Sequence, residues 1–174
     1  MFWRPARPRC HENLGRAPRG DRKPLFNPAF CAIVLRQSVR GFVQEKGEGL
    51  PFALAFLVLP IVLHKRTREL LPKSIATKMH PWIQDHQDVR VGFAGRCCAL
   101  LPHTQEAIVF AATNDLLAMS ANGRIEAPQV PLPSASWPDD SEPAVCISRA
   151  RFVGRWLSTA GDVATIFAMW GVRP

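Results

Sequence analysis

The longest apolar stretch in the chain runs from Leu50 to Leu63, fourteen residues without a charge or a side-chain hydrogen-bonding group. A membrane-spanning helix needs about 20 apolar residues, whereas this stretch is shorter, contains Pro51 and Pro60, and is followed by His64-Lys65-Arg66-Thr67-Arg68. The pattern therefore predicts a buried core helix and no membrane span. Because a helix that is apolar on every side must be covered by other elements, we expect the remaining helices to pack around this hub helix.

Helical spacing of apolar residues continues on both sides of the hub. Asn27 followed by Pro28 predicts a helix start, since Asn caps well and Pro is tolerated at the first helical position, and this helix should run to about Glu45. Candidate N-cap residues mark three further helices: Ser74, Asp88 and Thr104. The second of these three should end before Pro102.

Two short apolar segments around Asn122-Gly123 predict a small β-hairpin, because this dipeptide accepts the positive φ angles that tight hairpin turns require. The hairpin follows three predicted helices. That order is the one found in a winged-helix unit, so the fold class that we expect is mainly α, compact around the hub helix, with one small hairpin that resembles a wing.

The C-terminal part of the chain begins with a proline-rich loop over residues 128–144. Helix should resume near Val145 and direct Val153, Trp156 and Leu157 inward, and a last helix should run from Val163 to Trp170. Residues 25–174 are thus expected to form a single helical domain.

The net charge of +8 is unevenly distributed along the chain. Residues 1–23 contain seven Lys and Arg against Glu12 and Asp21, so this segment accounts for +5 of the total. It is rich in Arg, Pro and Gly and poor in apolar residues, which favours disorder, and it lacks the apolar region of a secretory signal. We expect residues 1–24 to be a disordered basic tail and the protein to be cytoplasmic.

The chain offers little catalytic chemistry. It contains no phosphate-binding Gly-x-x-x-x-Gly-Lys-Ser/Thr motif, and its five histidines and five cysteines lack metal-site spacing. A Cys97 or Cys98 nucleophile with His103 as base is conceivable, but no third group is evident to orient the base. We therefore expect no catalytic residue, no metal and no cofactor.

Nucleic-acid binding is the alternative function. A recognition helix should present basic and amide side chains to bases and phosphates, whereas the helix predicted after Thr104 offers Gln105 and Asn114 alongside two acids. The predicted hairpin adds Arg124 alone. This alternative, a winged-helix-like binder, would depend on the hairpin and on the basic tail.

Several segments together resemble one family: Leu25-Phe26-Asn27-Pro28-Ala29-Phe30, Leu57-Val58-Leu59-Pro60-Ile61-Val62-Leu63-His64-Lys65 with Thr67-Arg68, Val91-Gly92-Phe93-Ala94 with Arg96, and Arg151-Phe152-Val153-Gly154-Arg155-Trp156 with Ala168-Met169-Trp170-Gly171-Val172-Arg173-Pro174. The family is the middle component of bacterial three-component ABC systems, small proteins encoded between an ABC-type ATPase and a variable effector. The similarity covers Leu25 to Pro174.

The resemblance implies a non-enzymatic adaptor that relays an ATPase cycle to an effector in anti-phage or other conflict systems. Its expected partners are the ATPase and the effector, and nucleic acid would be contacted only through those partners or the basic tail. The family carries no catalytic residues over to this chain. Our candidate partner-binding residues fall into two groups. The basic side chains just after the hub are expected to be exposed: His64, Lys65, Arg66 and Arg68. The others lie near the C-terminus: Arg151, Arg155 and Trp156.

Overall fold

The computed structural model describes residues 26–131 and 137–173. The predicted basic tail, residues 1–24, and the centre of the proline-rich loop lie outside these residues. The described helices are α1 Pro28–Lys46, α2 Ala55–Val62, α3 Lys65–Leu70, α4 Met79–Asp85, α5 Phe93–Thr113, α6 Glu142–Ser158 and α7 Val163–Met169, and the strands are β1 Leu50–Pro51, β2 Ala118–Met119 and β3 Arg124–Glu126. The prediction of a mainly α fold with a small hairpin is confirmed.

Helix α1 begins and ends where the local sequence predicts. The side chain of Asn27 accepts a hydrogen bond from the backbone N–H of Ala29 at 2.9 Å, and Pro28 occupies the first turn. At the other end Gly47 has a φ of 73° and its N–H bonds to the carbonyl oxygen of Val43. A glycine in the left-handed conformation is a common way to close a helix.

The predicted hub is shorter than its apolar sequence indicates. Leu50–Pro51 forms strand β1, Phe52–Leu54 forms a single 3-10 turn, and only Ala55–Val62 is α-helical. The prediction of one helix from Leu50 onward is wrong because Leu50 pairs with Ile125 of the hairpin, an interaction between distant residues. Burial of the hub is confirmed, since seven of the eight residues of α2 are buried.

The hairpin at Asn122-Gly123 is confirmed and gains a third strand. Strand β3 pairs on one side with β2 and on the other with β1, both antiparallel, which gives the order β1-β3-β2. Gly123 supplies the positive φ of 72° in the turn. The succession of a helix, a strand, further helices and a hairpin agrees with the predicted order of a winged-helix-like unit, with residues 63–92 between α2 and α5.

Three predicted helix starts are wrong. Ser74 accepts a hydrogen bond from Ala76 in a turn, and α4 begins five residues later, at Met79. Asp88 lies in a 3-10 turn before α5. The Thr104 hydroxyl lies inside α5 and donates to the carbonyl oxygen of Leu100 at 3.0 Å.

Helix α5 therefore replaces two predicted helices and continues through Pro102. Pro102 is exposed. Proline removes one intrahelical hydrogen bond, and on the exposed side of a helix water can bind the carbonyl oxygen that loses its donor. The resulting 21-residue helix packs against α1 and α2.

The most extensive helix contact joins α1 and α6, and two glycines allow their backbones to approach closely. A Cβ atom on Gly154 would lie 1.8 Å from the carbonyl oxygen of Ser38, and one on Gly41 would lie 2.1 Å from that of Arg151. Helix α6 begins at Glu142, three residues before the predicted position, with Ser141 as its cap. Helix α7 is capped by Asp162 and ends at Met169, one residue before its predicted end.

Candidate partner-binding surfaces

The basic segment after α2 forms α3, which presents two of its cations to solvent. The side chains of Lys65 and Arg66 are 73% and 72% exposed. Arg66 pairs with Asp88 at 2.7 Å, and the Lys65 ammonium lies 3.9 Å from Glu69. Because exposed ion pairs contribute only about 0–1 kcal/mol, both cations can be redirected to an acidic partner at little cost.

His64 is half-buried and caps α3. Its Nδ1 atom accepts a hydrogen bond from the backbone N–H of Thr67 at 3.3 Å and lies 2.7 Å from the Thr67 hydroxyl oxygen. Burial, together with the nearby guanidinium groups of Arg96, Arg66 and Arg68, lowers the pKa of His64 below its ordinary value of 6.5. The imidazole is therefore held in the neutral form, which is the form able to accept the capping hydrogen bond.

The lowered pKa of His64 predicts a loss of stability in acid. The unfolded chain binds the proton more readily than the folded chain, so this contribution to the free energy of unfolding is present above pH 6.5 and falls as the pH drops below it. Replacing His64 with Asn preserves a capping acceptor and removes the titration. In urea unfolding at about pH 7 and about pH 5, His64→Asn should lose less stability on acidification than the wild type.

The matched control is His80→Asn, which replaces an exposed histidine on α4 and leaves His64 in place. It should lose more stability on acidification than His64→Asn does. An equal loss in His64→Asn and the wild type would contradict the assignment of His64 as a neutral cap.

Arg68 is buried, which corrects the expectation that it is exposed. Its guanidinium donates one hydrogen bond to the carbonyl oxygen of Val62 at 2.8 Å and another to Glu142 at 2.7 Å, and its side chain is 4% exposed. The last carbonyl groups of a helix lack intrahelical donors, and Arg68 supplies one at the end of α2. It thus joins α2 to the start of α6 and offers no side-chain surface to a partner.

Arg151 and Arg155 lie on the side of α6 that faces the end of α1. Arg151 donates to the Gln44 amide oxygen at 2.9 Å, and Arg155 donates to the Glu45 carboxylate at 2.6 Å. Arg151 is exposed and Arg155 is partly exposed. Both guanidinium groups therefore connect α6 to α1.

Trp156 is fully buried, so its choice as a partner-facing residue is not supported by its position. Its indole N–H donates to the carbonyl oxygen of Thr77 at 2.7 Å. Its ring packs edge to face against Trp82 at 5.1 Å and stacks on Phe152 at 6.0 Å. The inward direction predicted from the helical spacing of α6 is correct.

An apolar groove, about 350 Å³ in volume, lies between the 3-10 turn and α2 on one side and α5 and α7 on the other. Phe52 and Phe56 form one wall as an edge-to-face pair at 5.3 Å, and Leu101 and Phe167 contribute to the others. Phe52 and Leu101 are each 39% exposed. Hereafter this feature is called the groove.

The groove is missing from the sequence-based candidates because its residues resemble core residues. Phe52 belongs to the apolar stretch assigned to the hub, and Leu101 belongs to an apolar helical pattern. One sequence feature could have indicated it. Pro51 interrupts the apolar stretch where β1 ends, and the next residue, Phe52, is exposed.

The structure places the Cys97 thiol and the His103 imidazole in different surroundings. Burial raises the pKa of the Cys97 thiol to about 12, with a further contribution from neighbouring Cys98. A thiol with so high a pKa is protonated at neutral pH and is a poor nucleophile. His103 stacks on Phe26 at 5.3 Å. Within residues 26–131 and 137–173, no group of three or more His, Cys, Asp or Glu is placed to hold a metal ion.

The chain matches a known family. The model of the family described as ABC-three component (ABC-3C) system Middle Component 3 matches residues 22–174. No curated protein and no solved structure matches the chain. Among the described residues, each helix is too short or too polar to cross a bilayer.

Proposed function

This chain belongs to the Middle Component 3 family of ABC-three component systems, and we propose that it acts there as a non-enzymatic adaptor that couples an ABC-type ATPase to an effector. The observation that carries the proposal is the groove, whose apolar walls stay open in a folded domain. Contiguous exposed apolar surface commonly marks a protein interaction site. A subunit of a multicomponent system would bury such a surface against another component.

A coupling subunit needs a contact with each partner, and the chain has two surfaces of different chemistry. The exposed cations of α3, Lys65 and Arg66, suit an acidic surface. The groove suits apolar side chains, and its walls include no residue of α3 or α6. Two dissimilar surfaces would allow the chain to bind two dissimilar proteins at the same time.

The proposal extends to the setting that the family resemblance implies. The adaptor would act in the bacterial cytoplasm, in a system that opposes phage or other mobile elements, with a variable effector as its output. Deleting the gene for this chain from an intact system should then raise phage plaque counts to those of cells without the system. Unchanged protection after the deletion would contradict the defence role.

Charge reversal on α3 should weaken one of the two contacts. Lys65→Glu combined with Arg66→Glu replaces two exposed cations, and we expect the affinity for the partner bound there to fall about 10-fold or more. The control is Lys46→Glu, an exposed cation at the end of α1. Affinities for the purified ATPase and the purified effector, measured by interferometry at moderate salt, check the prediction.

The double variant and Lys46→Glu should differ for one partner. If the double variant and Lys46→Glu bind the ATPase with the same affinity and also bind the effector with the same affinity, α3 is not part of either interface. Loss of all binding together with a lowered unfolding midpoint would instead indicate misfolding, so the midpoint of each variant is measured first.

The second candidate function, nucleic-acid binding, draws its support from the strand order β1-β3-β2 after a helix. The electrostatics of the described hairpin oppose it, because Arg124 is engaged with Glu48 at 3.3 Å and with the carbonyl oxygen of Gly49 at 2.9 Å. The salt dependence of the binding affinity distinguishes the two functions. Phosphate-driven binding falls steeply and log-linearly with salt concentration, whereas a contact made through the groove should persist.

A further inference from the structure

The groove has the composition of a helix-binding site. A small-molecule site combines mainly apolar walls with a small number of polar groups that converge on the ligand, whereas the walls of this groove are almost entirely apolar and carry one charged side chain, Arg173, at one end. A groove that receives an amphipathic helix needs apolar walls for side chains spaced by three or four residues. The exposed parts of Phe52 and Leu101 can supply those contacts.

The charges at one end of the groove indicate the sign of its ligand. Arg173 lines the end formed by the chain after α7. Arg90 lies beside the same turn but lines a neighbouring depression, and one of its guanidinium nitrogens is 3.0 Å from the position that a Cβ atom on Gly171 would occupy. The lining residues include no acid, and within the described residues neither guanidinium has a hydrogen bond or an ion pair. This end is therefore positive and complements a carboxylate.

We propose that the groove binds an amphipathic α-helix of another component of the ABC system, with apolar side chains seated between Phe52 and Leu101 and a carboxylate paired with Arg173. This inference rests on the adaptor function proposed above and adds the chemistry of the partner. The apolar contact supplies most of the affinity, and the ion pair sets the direction in which the helix lies.

The test uses overlapping synthetic peptides of about 20 residues, the length of a roughly 30 Å helix, that cover the co-encoded ATPase and effector. Fluorescence anisotropy measures their binding to the full chain. We expect a peptide with acidic residues and apolar residues at helical spacing to bind. Leu101→Asp should weaken it about 30-fold and Arg173→Glu about 10-fold, and replacing the acidic residues of the peptide with Lys should weaken it about as much as Arg173→Glu does.

The matched control is Val109→Asp, which places the same charge on an exposed residue of the same helix outside the groove. Its affinity should stay within about 2-fold of the wild type. Failure of every peptide to bind, or equal affinities of Leu101→Asp and Val109→Asp, would overturn the proposal. Binding of a fatty acid in place of any peptide would also overturn it.

A parallel experiment separates this inference from the adaptor function. Full-length ATPase and effector are mixed with the wild-type chain or with Leu101→Asp, and the complex is resolved by gel filtration. A complex that forms equally well with both chains overturns the groove as the site and leaves the adaptor function standing. A complex that is absent with the wild-type chain overturns the adaptor function. Loss of the complex with Leu101→Asp alone supports both.

Discussion

Gly154→Ala should destabilise the protein by about 3 kcal/mol. A Cβ atom at this position would lie 1.8 Å from the carbonyl oxygen of Ser38, 2.7 Å from its carbonyl carbon and 3.0 Å from the backbone nitrogen of Phe42. These atoms belong to the backbone of α1, so no side-chain rotation can relieve the overlap. The two helices must separate, and the largest helix contact in the fold would lose its packing.

The control for this prediction is Gly95→Ala in α5. A Cβ atom on Gly95 would have nothing within 4 Å, and alanine is favoured over glycine inside a helix by up to about 1 kcal/mol. Urea unfolding followed by circular dichroism should thus show opposite shifts for the two variants. A Gly154→Ala protein as stable as Gly95→Ala would contradict the close approach of α1 and α6.

Trp156→Ala should cost about 3–5 kcal/mol, because it removes a large, fully buried side chain. The loss includes the edge-to-face contact with Trp82 and the stacked contact with Phe152. It also removes the donor of the 2.7 Å hydrogen bond to the carbonyl oxygen of Thr77. Trp156→Phe should cost less, because a phenyl ring retains much of the packing and water can bind the carbonyl oxygen of exposed Thr77.

Trp137→Ala is the matched control for Trp156→Ala. Trp137 is half-buried and meets Phe30 edge to face at 6.1 Å, so its loss should cost distinctly less. The unfolding midpoint in urea and the near-ultraviolet circular dichroism of the aromatic residues report the two changes. Equal destabilisation by the two variants would contradict the central position of Trp156.

Elements set by short-range chemistry are the ones that the sequence predicts well. The start of α1 follows from Asn27 and Pro28, whose capping geometry is local. The hairpin turn follows from Asn122-Gly123 in the same way. The structure confirms both features. They are predictable because neither depends on a residue distant in the sequence.

Elements decided by distant residues are predicted less well. Leu50 belongs to an apolar stretch with helical character, yet pairing with Ile125 places it in a strand. Pro102 predicts a break, yet its exposed position on α5 lets the helix continue. Similarly, the burial of Arg36, which donates to the carbonyl oxygens of Pro128 and Val130, depends on a loop more than ninety residues away.

The same distinction between local and distant interactions applies to the candidate surfaces. Lys65 and Arg66 are exposed as the charged segment predicts. Arg68, in the same segment, is buried because its guanidinium donates hydrogen bonds to the carbonyl oxygen of Val62 and to the carboxylate of Glu142. The groove combines residues from three separate parts of the chain, and each part alone has the pattern of a core element.

A bridging assay tests most directly whether this chain joins an ABC-type ATPase to an effector, as proposed. Tagged ATPase is immobilised with purified effector, with and without this chain, in the presence and absence of ATP at moderate salt. We predict that the effector is retained only when this chain is present, and that ATP changes the amount retained. Equal retention of the effector without this chain would contradict the bridging role. Retention of this chain on the ATPase while the added effector stays unbound would also contradict it.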